Sequence, residues 1–168
     1  MALEVQPPRI NLPMAPRTVL PVFFKSLGDI PIGGGWGYTI DDAVVIDKND
    51  PTVSRELPFD GVGLEYVFVE KRLYFELITS RSEGECFSGI KWTLLEQRTQ
   101  PVDGRQFDFL RFEVTALPEK DWNELKVEWE GPNGYGSAAF DLDAHEERRR
   151  MRTIRFVAEY WFDITSFF

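Results

Sequence analysis

Residues 89–117, "GIKWTLLEQRTQPVDGRQFDFLRFEVTAL", decide how this chain folds. Ile90, Trp92 and Leu94 alternate with Lys91 and Thr93. Phe107 and Phe109 alternate with Asp108, and Phe112 and Val114 alternate with Arg111, Glu113 and Thr115. A period of two belongs to strands with one buried face. Between the runs, Asp103-Gly104 suits the positive φ angles of a two-residue hairpin turn. The stretch predicts an antiparallel hairpin.

A second strand signal ends the chain over about 153–165. Phe156, Ala158, Tyr160, Phe162 and Ile164 share one face and alternate with Arg155, Glu159, Asp163 and Thr165. Between hairpin and last strand, helices are expected. Pro118 suits a first helical position, Trp122, Leu125 and Trp129 give an apolar face, and Gly131-Pro132 ends it. A further helix runs from about Leu142 to Met151, where Asp143 with Glu146 resembles a capping box and acids precede arginines.

Upstream, "AVVI" (43–46) reads as a short buried strand, and 47–61 as irregular. Residues 64–79 carry both periods: Tyr66, Val69, Leu73 and Leu77 at helical spacing, Leu64, Tyr66 and Phe68 in alternation. The balance favours a helix from about 68 onward. Six of the eleven prolines precede residue 32, so residues 4–21 are expected to be non-helical. Residues 1–17 read as an extended arm, packed along the domain or crossing to a partner subunit, and 18–27 as a first strand at a sheet edge. The fold class is α+β: a single domain over 18–168, mainly antiparallel sheet with two or three helices.

Composition fits one cored domain. The chain has 168 residues, 43% hydrophobic and 14% aromatic, which excludes general disorder. A net charge of −9 repels nucleic acid and anionic membrane and favours a basic protein partner. Cys86 is the only cysteine and no apolar run reaches membrane-spanning length, so a cytoplasmic setting is expected.

Motifs that carry chemistry are scarce. The glycine run "PIGGGWGYTIDD" (31–42) has no Gly-Lys-Ser/Thr ending, and its acids oppose a phosphate. It reads as a bend between strands or as a recognition platform bearing Trp36 and Tyr38, followed by Asp41 and Asp42. "GPNGYGSAAFDLD" (131–143) repeats the pattern with Tyr135, Asp141 and Asp143. Brought together, the two loops would form an aromatic patch rimmed with carboxylates.

His145, the only histidine, lies in the charged run "DAHEERRRMR" and is expected as a solvated helix residue. It excludes zinc sites that need two or more histidines. Cys86 beside Glu85 is expected to be half-buried and unreactive. "DKNDP" (47–51) lacks the frame of a calcium loop, and no cofactor loop is present. Residues 113–147 hold ten acids against two lysines, and five arginines follow between 148 and 155. Helical spacing pairs Arg150 with Glu146 and Glu147.

By subtraction the sequence points to a non-enzymatic binding module, of inhibitor, immunity or regulatory type, acting on a basic protein. The alternative is a carboxylate-based enzyme, or a binder of a sugar or divalent metal, using loops 33–42 and 131–143. A homodimer through the C-terminal strand is the third reading. Trp36, Tyr38, Asp41, Asp42, Tyr135, Asp141 and Asp143 are the candidate binding residues; no cofactor, metal or catalytic residue is assigned.

Overall fold

In the computed structural model, which describes residues 1–27 and 29–168, the hairpin forms where the alternation places it. Strand β4 (Phe87–Val102) turns through Asp103 and Gly104 into β5 (Arg105–Pro118). Both turn residues have positive φ, 50° and 77°, the backbone of a two-residue turn that follows strand twist. The last strand, β6 (Ile154–Asp163), pairs antiparallel with β5, with Phe112 opposite Ala158.

Three short strands complete a six-stranded sheet: β1 (Leu3–Glu4), β2 (Ile32–Gly34) and β3 (Val44–Ile46). The order is β2-β3-β6-β5-β4, with β1 also against β6. Both β1 and β3 run parallel to β6, and the remaining pairs are antiparallel. The C-terminal strand therefore lies inside the sheet, with β5 on one side and β1 and β3 on the other. It is not the dimer edge that its position in the sequence suggests. Strand β4 ends the sheet order on one side and β2 on the other.

Among the described residues four α-helices accompany the sheet: α1 (Pro16–Phe23), α2 (Gly61–Tyr74), α3 (Glu119–Glu130) and α4 (Leu142–Arg152). The α2 helix starts earlier than its periodicity indicates because Asp60 caps it, accepting from the Gly63 N–H at 2.8 Å. It continues as a single π turn, Phe75–Thr79. Phe68, Val69 and Leu73 of α2 join Leu110, Phe112 and Val114 of β5 and Tyr160 and Phe162 of β6 in the core.

The first strand expected over 18–27 is instead α1 followed by a 3-10 turn, Lys25–Leu27, and the arm ends at Ala15 rather than residue 17. Pro16 stands at the first helical position, where no N–H is missed. Pro21 loses one backbone bond, but the helix buries Val19 and Leu20, and that burial outweighs the loss in so short a helix.

The register of the hairpin shifts at two places, the first between Ser88 and Lys91. A bulge between Leu94 and Glu96 shifts the register, so Gln97 and Thr99 oppose Leu110 and Asp108. Phe107 and Phe109 pack on the other face, where Phe109 meets Trp161 and lies under Arg98. Asp108 lies on the same face of β5 as Leu110, Phe112 and Val114, since β5 keeps an unbroken register with β6, and it is buried beside Glu65 of α2.

Candidate functional site

The two glycine-aromatic loops serve different parts of the molecule. In the first, Gly37 has φ 79°, and its carbonyl accepts from the Trp161 N–H at 2.9 Å. A Cβ there would stand 3.0 Å from the Trp161 carbonyl oxygen, so the chain needs glycine to lie against β6. Trp36 is buried, packs on Phe68 and Phe75, and donates its indole N–H to the Met14 carbonyl at 3.1 Å. Asp42 accepts from the N–H of Thr39 at 2.7 Å and closes the following turn. Asp41 is exposed beside a shallow cleft with Val102 and Arg105.

Tyr38 belongs to a buried polar cluster. Its hydroxyl donates to Glu76 and accepts from the Ile10 N–H, both at 2.8 Å. The Arg72 guanidinium lies 3.5 Å from the Tyr160 ring centroid and 4.3 Å from that of Tyr38. Arg72 donates to the carbonyls of Trp36 at 3.0 Å and Glu159 at 2.7 Å. Burial raises the pKa of Tyr38, Tyr160 and Glu76 above their ordinary values. The cluster is built to hold the glycine loop, α2 and β6 together.

Two turns earlier on α2, Glu65 is fully buried, and among the described residues neither of its carboxylate oxygens has a hydrogen-bond partner. Burial, reinforced by the neighbouring Asp108 carboxylate, pushes its pKa up to about 8. Asp108 itself accepts from the Thr99 hydroxyl.

The second loop, 131–143, builds an exposed surface with α3 and α4. Asp141 caps α4 by accepting from the Ala144 N–H at 3.0 Å, so it takes the place expected of Asp143 and Glu146. The Tyr135 ring lies parallel to Trp129, with centroids 4.3 Å apart and planes 4° apart. Phe140 meets both rings edge-on. Tyr135 remains 62% exposed and Trp129 38%.

His145 is the main departure from expectation. It is buried rather than solvated, against Trp129 and Phe140, because the loop folds its aromatics back over α4. Among the described residues its Nδ1 has no hydrogen-bond partner, and Glu128 Oε1 lies 3.4 Å away. Glu128 is held by Arg148. Arg150 pairs with Glu147, and Arg152 with Asp121 and Glu124. The expected Glu146 pair is absent among the described residues.

Between α3 and α4 lies a cavity of about 220 Å³ lined by Trp122, Leu125, Lys126, Trp129, His145 and Arg149. Sequence reasoning identifies the tryptophans and Leu125 only as an apolar helix face and assigns Lys126 and Arg149 no such role. The signal is present: 122, 125, 126 and 129 form one helical stripe, and 145 and 149 another. What the sequence leaves open is that the two stripes face each other.

No protein-family model, curated protein or solved structure matches the chain.

The aromatic neighbours of Trp36 and those of Tyr135 have no residue in common. Tyr135, Asp141 and Asp143 share the α3–α4 surface; Trp36, Tyr38, Asp41 and Asp42 sit with the other loop. Cys86 is half-buried, as expected. Among the described residues no group of three or more His, Cys, Asp or Glu is placed to hold a metal ion. Among them, too, no helix is long and apolar enough to cross a membrane.

Proposed function

We propose that this chain is a non-enzymatic protein-binding module, of inhibitor, immunity or regulatory type, and that it engages a basic partner through the loop joining α3 and α4. The observation that carries the reading is the exposed Trp129–Tyr135 stack. Two rings held parallel offer a large contact area already ordered before binding. Tryptophan and tyrosine dominate binding hot spots for this reason.

Charge supplies the direction. Glu130, Asp141, Asp143 and Glu146 belong to the same segment, are exposed, and take part in no ion pair among the described residues. Such unpaired acids speed encounter with a basic surface and are screened by salt. A lysine or arginine of the partner gains further from an aromatic face.

The alternative that joins loops 33–42 and 131–143 in one carboxylate, sugar or metal site has weaker support. Trp36 is core, and the two loops' aromatic contacts are separate.

The test is capture from native lysate at low and moderate salt, using wild type beside Tyr135→Ala and Asp143→Asn. A basic protein retained by wild type, weakened by salt and lost by Tyr135→Ala is the expected result. Capture that is equal for all three, or absent from all, contradicts the reading.

A further inference from the structure

We infer that the cavity between α3 and α4 is a binding site for a small planar aromatic carboxylate. Its walls are the indoles of Trp122 and Trp129 above buried Leu125. A cavity of about 150 Å³ suffices for a benzene ring, so about 220 Å³ leaves space for a ring and one small substituent. Flat apolar walls select a flat apolar body.

The polar lining selects the substituent. His145 is 5% exposed, and among the described residues its Nδ1 makes no hydrogen bond, with the Glu128 carboxylate, itself held by Arg148, 3.4 Å away. Lys126 and Arg149 also line the cavity, and neither makes an ion pair among the described residues. Arg148, Arg150 and Arg152 of the same helix are all paired. The Arg149 guanidinium stands 5.8 Å from the Trp122 ring centroid, beside the aromatic wall.

No carboxylate is among the residues that line the cavity, although the chain carries a net charge of −9. This local reversal favours an anion and disfavours an amine or a metal ion. A sugar would need several polar partners, and the lining offers no acid, amide or hydroxyl side chain. A carboxylate bound by Arg149 and Lys126, with its ring against the indoles, uses both unpaired cations and the aromatic walls. The site shares Trp129 with the exposed Trp129–Tyr135 stack but takes a different ligand.

The probe is benzoate, with benzamide as its neutral twin. His145 is the only histidine, so its imidazole NMR signals need no assignment. Titration with the acid is expected to move those signals and two tryptophan indole signals saturably, with Kd below about 1 mM. The amide, and the acid with Arg149→Met or Lys126→Met, are expected to bind about tenfold more weakly. Circular dichroism establishes that each variant folds. No saturable shift at about 10 mM acid overturns the site. Equal affinity for acid and amide overturns the carboxylate assignment.

Discussion

The side chain of Arg72 hydrogen-bonds the backbone carbonyl of Glu159, 2.7 Å away and 87 residues along the chain. That carbonyl lies on the edge of β6, between the segment paired with β1 and the segment paired with β3. Neither strand reaches the position, and a guanidinium takes the missing partner's place. The same side chain holds the Trp36 carbonyl, so one residue fastens the glycine loop to the sheet.

Arg72→Met should therefore destabilise the protein by about 3–5 kcal/mol, since it leaves buried Glu76 without its counter-charge and two carbonyls unpartnered. Arg72→Met with Glu76→Gln should recover part of the loss, as the orphaned charge goes too. Urea unfolding of the three proteins measures this. A loss below about 1 kcal/mol for the single variant would show that the cluster contributes little.

Glu65 predicts a pH dependence. Its carboxyl rises from 4.5 to about 8 on folding, so the folded state keeps a proton that the unfolded state releases. The stabilisation is full below about pH 4.5 and declines as pH rises through about 8, by at most about 1.4 kcal/mol per pH unit. Glu65→Gln has no such proton to lose. Its urea midpoint should fall less than that of wild type between about pH 5 and about pH 9, and parallel curves would refute the assignment.

Two glycines with nearly equal φ should respond differently to alanine. Gly104, at 77°, has no heavy atom within 4 Å of where a Cβ would stand, so only backbone strain is expected, about 1 kcal/mol. Gly37, at 79°, adds a contact of 3.0 Å with the Trp161 carbonyl and should cost about 2–3 kcal/mol. Thermal or urea unfolding ranks them; equal losses would mean that the loop's approach to β6 is slack.

Tyr135→Ala separates binding from stability. The ring is 62% exposed, so its removal should change stability by no more than about 0.5 kcal/mol while abolishing partner capture. Unfolding and capture measured on the same sample check both halves.

The hairpin is legible because its signals are local: alternation, and a turn pair whose residues tolerate positive φ. Strand β6 is legible as a strand for the same reason, yet its interior place is not, since partners are chosen across the whole chain. Helix α1 is hidden because Pro16 and Pro21 carry a strong local signal that the burial of Val19 and Leu20 overrides. Asp108 stands out in the sequence only as alternating with Phe107 and Phe109, and His145 looks solvated from its neighbours' polarity. Asp108 instead shares the core face of Leu110 and Phe112, and an aromatic loop folded over α4 buries His145, which depends on tertiary contacts. Of the candidate residues, Tyr135, Asp141 and Asp143 do share one surface, whereas Trp36 and Tyr38 serve the interior.

The most direct test of the central claim is a photo-crosslinking amino acid placed at position 135, compared with one at exposed position 48, in native lysate. The account predicts a covalent adduct with one basic protein from position 135, reduced by salt, and none from position 48. No adduct at 135, or the same adducts from both positions, would contradict it.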